Sequence, residues 1–421
     1  MYDKYLVTGA TGFLGRVVAE ELVRRKAQVH ALVLHDDPYI NLLPKEVHTV
    51  IGDVCAENSL TDFFADADSR TCVIHCAGVV SVASRPGSKL YQVNVGGTWS
   101  VLRQCMERNV GKMVYVSSVH AIPEKPKGCI ITEDCEFSPG LVDGDYAKSK
   151  AAATELVFDA AERGLNASIV FPSGIIGPGD LQGGSFTSMA KSFLSRKLPF
   201  AVCGGYDFVD VRDVAKGILA CSENGEPGKG YILSGHYVTI RKMLQLVGKT
   251  AKLKYRPICL PLGLAKLAAP YYERRSTKER KPLFFTPYSV AVLASNGQFS
   301  HAAASERFAY QPRPLEQTLR DMAEEENGHA RRLMAARYLI TGQPYRPNLV
   351  CGVFCPGRWA EELRRSYHEE ACGGLNYART ADGTTDVCLA KLLNELSEDE
   401  YRHAERLMTL LERSLGRQSG C

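Results

Sequence analysis

A chain of 421 residues is longer than one ordinary domain and points to two. Its 45% hydrophobic and 23% charged residues are those of a soluble globular protein, and a net charge of +4 gives no argument for nucleic acid or a membrane surface. No apolar run reaches the length of a membrane span, and Met1 to Thr8 runs into a strand without a basic leader, so the expected compartment is cytoplasmic.

The 14 cysteines are then expected as free thiols. Cys72, Cys76, Cys105 and Cys203 stand singly in apolar runs, as small hydrophobes do. Cys351 and Cys355 form a close pair, but no second pair completes a zinc site. The densest basic cluster, Arg274-Arg275 to Lys281, reads as a solvated loop.

Taken in chain order, short β-branched runs alternate with helical periods, the pattern of an α/β fold with a parallel sheet. Strands are expected at Tyr5–Thr8, Val29–Leu34, Val47–Gly52, Cys72–Cys76, Lys112–Ser117 and Ala167–Phe171. Val17, Val18, Glu21, Leu22 and Arg25 repeat at helical spacing between the first two, as one crossover helix. Six such strands make a doubly wound parallel sheet. Beyond Pro172 the pattern turns irregular, with Gly-Pro-Gly-Asp at 177–180 and a Pro-rich stretch at 257–287, so a small substrate lobe is expected mainly over 173–310. From about Leu315 to Leu415 the chain reads as helix, apart from a loop at Gly342–Pro356. The expected division is 1–320 for the α/β domain and 321–421 for an all-α helical bundle extension.

Gly9, Gly12 and Gly15 follow the first strand and open the first helix. Such glycines permit a tight turn, backbone approach to a pyrophosphate and close helix–strand packing, while the helix N-terminus favours the phosphates. This is the dinucleotide-binding arrangement of a Rossmann-type fold. Further on, Tyr146 and Lys150 stand one helical turn apart and so share a face. A tyrosine with a pKa of about 10 is a poor base near neutrality, and a neighbouring cation favours its phenolate. Ser118, at the end of the fifth strand, is placed to bond the same substrate oxygen.

With Tyr146-Ala147-Lys148-Ser149-Lys150 joined to that glycine loop, residues 1–325 resemble the extended short-chain dehydrogenase/reductase family of the NAD-dependent epimerase/dehydratase type. Gly52-Asp53-Val54, His75-Cys76-Ala77-Gly78, Asn94-Val95-Gly96-Gly97-Thr98, Val116-Ser117-Ser118 and Phe171-Pro172-Ser173-Gly174 fall in family order. Phe208 to Ala215 and Tyr310 to Leu315 resemble the branch of dihydroflavonol reductases and 3β-hydroxysteroid dehydrogenases. The resemblance implies NAD or NADP held by Gly9, Thr11, Gly12, Phe13, Leu14, Gly15, His35, Asp53, Val54, Ala77, Gly78, Tyr146, Lys150 and Pro172. Asp53 meets the adenine, Pro172 lies by the nicotinamide, and Asn94 joins Ser118, Tyr146 and Lys150 in the proton relay.

Val33-Leu34-His35 carries neither the acid that takes the ribose hydroxyls nor the arginine that takes a 2′-phosphate; Arg16 and His35 tilt the balance to NADP. Val79, Val80, Ser81, Ser173, Gln182 and Phe186 are expected at a mixed, partly apolar substrate pocket, with His120 touching the substrate. The expected reaction is hydride transfer between the nicotinamide and a small-molecule carbonyl or alcohol, with Tyr146 as general acid and base. A nucleotide-sugar epimerase or dehydratase, and a non-catalytic cofactor sensor with a metal-binding or dimerising helical module, are the alternatives.

In the helical tail, Leu319, Met322, Glu326, His329 and Leu333 form one seam. Leu363, Tyr367, Glu370, Gly374 and Tyr377 form a second, and Leu396, Glu400, His403, Leu407 and Leu410 a third. Glu326 with His329, and Glu400 with His403, repeat Glu-x-x-His, the motif of di-metal bundles. The tail resembles a truncated rubrerythrin or ferritin-like domain, which implies iron or manganese at Glu326, His329, Glu370, Glu400 and His403. One helix and one further Glu are missing from that pattern. The other reading is a vestigial bundle serving as a homodimer surface.

Overall fold

The computed structural model describes residues 2–84, 87–198, 200–251, 253, 258–279, 283, 285–325, 338, 358–385 and 387–417, in two compact units, Met1–Asp321 and Met322–Cys421. The first unit opens with β1 (Lys4–Thr8), α1 (Phe13–Arg24), β2 (Gln28–Val33), β3 (His48–Ile51) and β4 (Thr71–His75). A short α2 (Lys89–Tyr91) continues through a π-helical stretch, Gln92–Gly97, into α3 (Thr98–Glu107). Then come β5 (Lys112–Val116), α4 (Asp145–Glu162) and β6 (Ala167–Pro172). The lobe is threaded from β7 (Gly174–Ile176), α5 (Ser185–Leu194), β8 (Phe200–Val202) and β9 (Gly205–Asp210). The chain returns to the main sheet by α6 (Val211–Asn224) and β10 (Lys229–Leu233). It finishes the lobe with β11 (His236–Thr239), α7 (Ile240–Thr250), β12 (Ile258–Leu260), α8 (Leu262–Lys278) and α9 (Pro287–Ala294). Helices α10 (Ala302–Phe308) and α11 (315–325) follow.

The main sheet has seven strands, all parallel, in the order β10-β6-β5-β4-β1-β2-β3. The six expected strands are all present, and β10 is added at the edge. The central strands β1, β4, β5 and β6 are buried on both faces, and the alternation divides them between two cores, while the edge strand β3 is largely exposed. Tyr5, Val7, Cys72, Ile74 and Val114 pack with Val18 and Leu22 of α1 and Ile218 of α6. Leu6, Val73, Met113 and Tyr115 pack on the other side with Leu102 of α3 and Val157 of α4.

The lobe carries a three-stranded sheet, β11-β9-β7, and a two-stranded one, β12-β8. Here the expectation of a basic loop is corrected over 274–278, which is helix with its basic side chains exposed, while Lys281 lies outside the described residues. Arg274, Arg275 and Lys278 lie on the last turns of α8, a 17-residue helix with Pro270 inside it. Pro270 is exposed and forfeits one backbone hydrogen bond without breaking the helix.

In the second unit α12 (Arg358–Gly383) and α13 (Val387–Arg417) run antiparallel, with the Ser397 hydroxyl donating to the Gly374 carbonyl at 2.8 Å and Ala360 near Leu411. The third expected seam is shifted by one residue. Among the described residues of α13, Ser397, Ala404 and Leu411 are buried, while Leu396 and Leu410 are exposed. Close approach at Gly374, where a Cβ would press on the Tyr401 ring, favours the small Ser397 and Ala404 on that face. Residues 342–356, Cys351 and Cys355 lie outside the described residues. Among the described residues no helix is long and apolar enough to cross a membrane.

Leu22 is 1% exposed at the α1–sheet contact. Leu22→Ala is expected to lower the unfolding free energy by about 2–5 kcal/mol, measured by urea denaturation, with the midpoint falling and the slope unchanged.

Candidate active site

The glycine loop is shaped by Gly9, whose φ of +68° makes the turn and whose missing Cβ leaves room for the Ala77 backbone. A side chain at Gly15 would collide with the Gly9 carbonyl, so only glycine lets α1 start this close to β1. The N-terminus of α1 has Gly12 as cap, no side-chain cap bond and no acid in its first turn. Its free N–H groups fit a pyrophosphate, and the cradle fits a dinucleotide.

Behind this cleft a line of hydrogen bonds crosses the sheet. The Ala77 N–H donates to Thr8 Oγ1 at 3.2 Å, and the Thr98 hydroxyl donates to the Asn94 carbonyl at 2.7 Å. His75 lies between them, 2.6 Å from Thr8 through Nδ1 and 3.0 Å from Thr98 through Nε2. Burial holds His75 down to about 3, so it is neutral. With the Thr98 proton spent on Asn94, the imidazole carries its proton on Nε2 and accepts from Thr8 on Nδ1.

Asn94 is buried in the π-helical stretch. Its Oδ1 accepts from the Val79 N–H at 2.7 Å, and its Nδ2 donates to the Val79 carbonyl and to Ser149 Oγ, each at 3.0 Å. Asn94 therefore ties the loop after β4 to α4. On α4, Lys150 Nζ donates to the Val116 carbonyl at 2.8 Å and sits 5.0 Å from the centre of the Tyr115 ring. Burial brings Lys150 down to about 8. Burial pushes Tyr146 up to about 12, against a lowering hydrogen bond with Ser118.

Asn94 is not a lining residue, but of these groups Ser118, Tyr146 and Lys150 line a cavity of about 660 Å³. It gathers Gly9, Gly12, Phe13, Leu14 and Gly15 at the cofactor end with Gly78, Ser118, Tyr146, Lys150 and Pro172, and reaches Val80, His120, Ser173, Gln182 and Phe186. The remaining candidates are placed elsewhere. Asp53 is exposed past β3, Val54 packs near Gly97, and Ala77 belongs to the hydrogen-bond line. Ser81 accepts from Ala83 N, His35 is exposed beside Asp36, and Thr11 donates to Asp37 Oδ2 at 2.5 Å. The Ser173 hydroxyl is spent on Asp207 at 2.5 Å, and burial raises Asp207 to about 6.

Two aromatic residues were not foreseen. His120 is 2.8 Å from the Tyr206 hydroxyl through Nε2 and 3.3 Å from that of Tyr288 through Nδ1. Its ring stacks on Tyr206 and meets Tyr146 edge-on at 5.8 Å. Burial lowers it to about 4, so the imidazole is neutral. Tyr288 reaches this place because Gly144, before α4, has no side chain; a Cβ there would collide with the ring. No motif marks Tyr206 or Tyr288. They come from β9 and α9, which only the folded lobe brings to His120.

The same cavity is lined by the apolar side chains of Val82, Met189, Phe208, Val292 and Leu293. Among the described lining residues Lys150 is the one cation. A larger cavity of about 910 Å³ beside β10, lined by Glu133, Lys229 and Arg307, holds none of these groups.

In the second unit, Glu370, Glu400 and His403 bring one ligand atom each within 4.8 Å of one another. His403 Nδ1 lies 3.2 Å from Glu370 Oε2. The two carboxylates are close enough that Glu370 is lowered and Glu400 raised, as when a pair shares one proton. Glu326 and His329 lie outside the described residues.

The NAD dependent epimerase/dehydratase family matches residues 5–234. Sterol demethylase protein B of Methylococcus capsulatus is 30% identical over 306 residues, spanning 72% of this chain and 91% of that protein. The 3beta-hydroxysteroid-dehydrogenase/decarboxylase isoform 1 of Arabidopsis thaliana is 26% identical over 332 residues, 73% of this chain and 75% of that one. Among solved structures, gox2253 superposes with a TM-score of 0.68 at 27% identity, covering 78% of this chain and 98% of its own. With glycine loop, parallel sheet and these relatives in agreement, the chain belongs to the NAD-dependent epimerase/dehydratase family and is an NAD(P)-dependent enzyme.

Proposed function

We propose that the chain is a dehydrogenase that interconverts an apolar, alicyclic secondary alcohol of sterol-like shape and its ketone. The observation that carries this reading is the cavity itself, which Ser118, Tyr146 and Lys150 line together with the apolar Val82, Met189, Phe208, Val292 and Leu293. A nucleotide sugar brings a diphosphate that needs cations, and Lys150, the one cation among the described lining residues, lies by Tyr146. Sterol demethylase protein B and the hydroxysteroid dehydrogenase/decarboxylase carry names of the same substrate class. The whole relay also argues against a pure cofactor sensor.

When bound, the nicotinamide supplies the hydride acceptor or donor. For oxidation, the Tyr146 phenolate takes the alcohol proton while Ser118 donates to the same oxygen. Lys150, one turn along α4, favours the phenolate by its charge. Reduction runs the same proton back from Tyr146 to the carbonyl oxygen. His120, neutral between Tyr206 and Tyr288, fixes the wall beside the reacting carbon.

The tilt to NADP is not kept. Arg16 is engaged with Glu20 and with the Gly179 carbonyl, and the Asp37 carboxylate stands against Thr11 of the glycine loop. An acid there suits ribose hydroxyls and repels a 2′-phosphate, so the cofactor proposed is NAD.

Three outcomes are expected. Tyr146→Phe lowers turnover of a sterol-like alcohol by about 10²–10⁴-fold with cofactor binding retained. Alcohol oxidation rises with pH as Tyr146 loses its proton, ketone reduction falls, and Lys150→Met moves both limbs to higher pH; equal pH profiles for wild type and Lys150→Met would count against the relay. In fluorescence titration NADH binds at least about tenfold tighter than NADPH, and Asp37→Asn narrows the gap; tighter NADPH binding overturns the assignment.

A second reading concerns α12 and α13. Glu370, Glu400 and His403 offer two carboxylates and an imidazole, a donor set suited to iron or manganese. Elemental analysis of protein from iron-replete expression is expected to find metal that Glu370→Ala with Glu400→Ala removes. Metal-free wild type leaves the hairpin as a dimerising surface.

A further inference from the structure

Helix α8 packs Leu262, Ala265, Ala269 and Tyr272 on the core but turns three other large apolar side chains away from it. Leu264 is 56% exposed, Leu267 79% and Tyr271 71%, at spacings of three and four that set them on one face. The opposite face is held by small residues, Ala265 and Ala269, buried against Phe285 and Val290. Single exposed leucines are ordinary, but an aligned row on one helix is a patch. Along the same helix Lys266, Arg274, Arg275 and Lys278 are exposed. The acids of the helix are spent otherwise: Glu273 accepts from the Ser84 N–H and hydroxyl at 2.7 and 2.8 Å, and Glu279 pairs with Arg275 at 2.8 Å.

The patch adjoins the substrate cavity. Helix α8 packs on α9, which contributes Tyr288, Val292 and Leu293 to the cavity wall. The Ser84–Glu273 bonds tie α8 to the loop carrying Val80 and Val82, which also line it, and Thr286 Oγ1 donates to the Val82 carbonyl at 2.6 Å.

We infer that the exposed face of α8 docks on a lipid bilayer carrying anionic headgroups, with Leu264, Leu267 and Tyr271 in the acyl boundary and Arg274 and Lys278 at the headgroups. An exposed apolar row with basic residues is the composition of an interfacial helix. Basic side chains keep their charge at headgroup level while their stems lie in apolar surroundings. This inference rests on the apolar substrate of the preceding section, which dissolves in the same bilayer and leaves it beside the cavity wall. It replaces, for this surface, the expectation of no membrane partner drawn from net charge, because that sum conceals where the charges sit.

The test is co-sedimentation of the full chain with vesicles of phosphatidylcholine alone and of phosphatidylcholine mixed with phosphatidylglycerol. The wild type is expected to sediment with the mixed vesicles and to be released by salt. Leu264→Glu with Leu267→Glu, and separately Arg274→Glu with Arg275→Glu, are expected to weaken binding at least about tenfold while turnover of a short water-soluble alcohol is unchanged. Wild type that stays in solution with both vesicles overturns the inference, as do variants that bind like the wild type. So does a concentration-dependent dimer of wild type that the leucine variant dissolves without any vesicle binding. Since binding is read without substrate, its failure leaves the dehydrogenase reading standing, and absent turnover on sterol-like alcohols tests that reading alone.

Discussion

The cleft depends on one buried imidazole that must stay neutral. His75 at the end of β4 accepts from Thr8 and donates to Thr98, and those hydroxyls in turn hold the Ala77 amide and the Asn94 carbonyl. Each partner has one proton to give, so the line has a single direction and a single tautomer. Were the ring protonated, Nδ1 would meet Thr8 as a second donor and the line would break. The loop that approaches Gly9 and the helix that carries Asn94 are thus registered by the same residue.

From Asn94 the registration passes to the reacting groups. Its amide clamps Val79 on one side and Ser149 on the other, and Ser149 is the neighbour of Lys150. Tyr146 and Lys150 are both withdrawn from water, which raises one group and lowers the other. Burial alone moves their proton affinities apart, the phenol upward and the ammonium downward, and a cationic nicotinamide would draw the tyrosine back down. The phenolate that the reaction needs therefore depends on positive charge brought close to the phenol.

Much of this was legible in the chain. The central strands are continuous apolar runs because both faces of a parallel sheet are covered there, and the glycine loop stands at a strand–helix junction where its spacing has physical meaning. Strand β10 escaped because Gly228 and Gly230 punctuate it as if it were a turn. Helix α8 was hidden by Pro270, and by leucines whose period faces outward. Asp37 lies two residues past the last position weighed at the second strand. Tyr206 and Tyr288 had no local signal at all, since their meaning comes from a histidine far away in sequence. In the tail, the periodic seam was read one residue from the buried one, an error of about 100° around a helix.

The contact between Gly144 and Tyr288 has a consequence for how such an enzyme changes its substrate. The phenol ring lies against bare backbone at the start of α4, so no side chain interlocks there. Helix α9 is tied to the chemistry at that joint, because Tyr288 lies 3.3 Å from His120, whose ring meets Tyr146 edge-on. Any side chain gained at Gly144 would push the Tyr288 ring off His120, so a substitution at the start of the catalytic helix would be felt first as a change in the shape of the pocket.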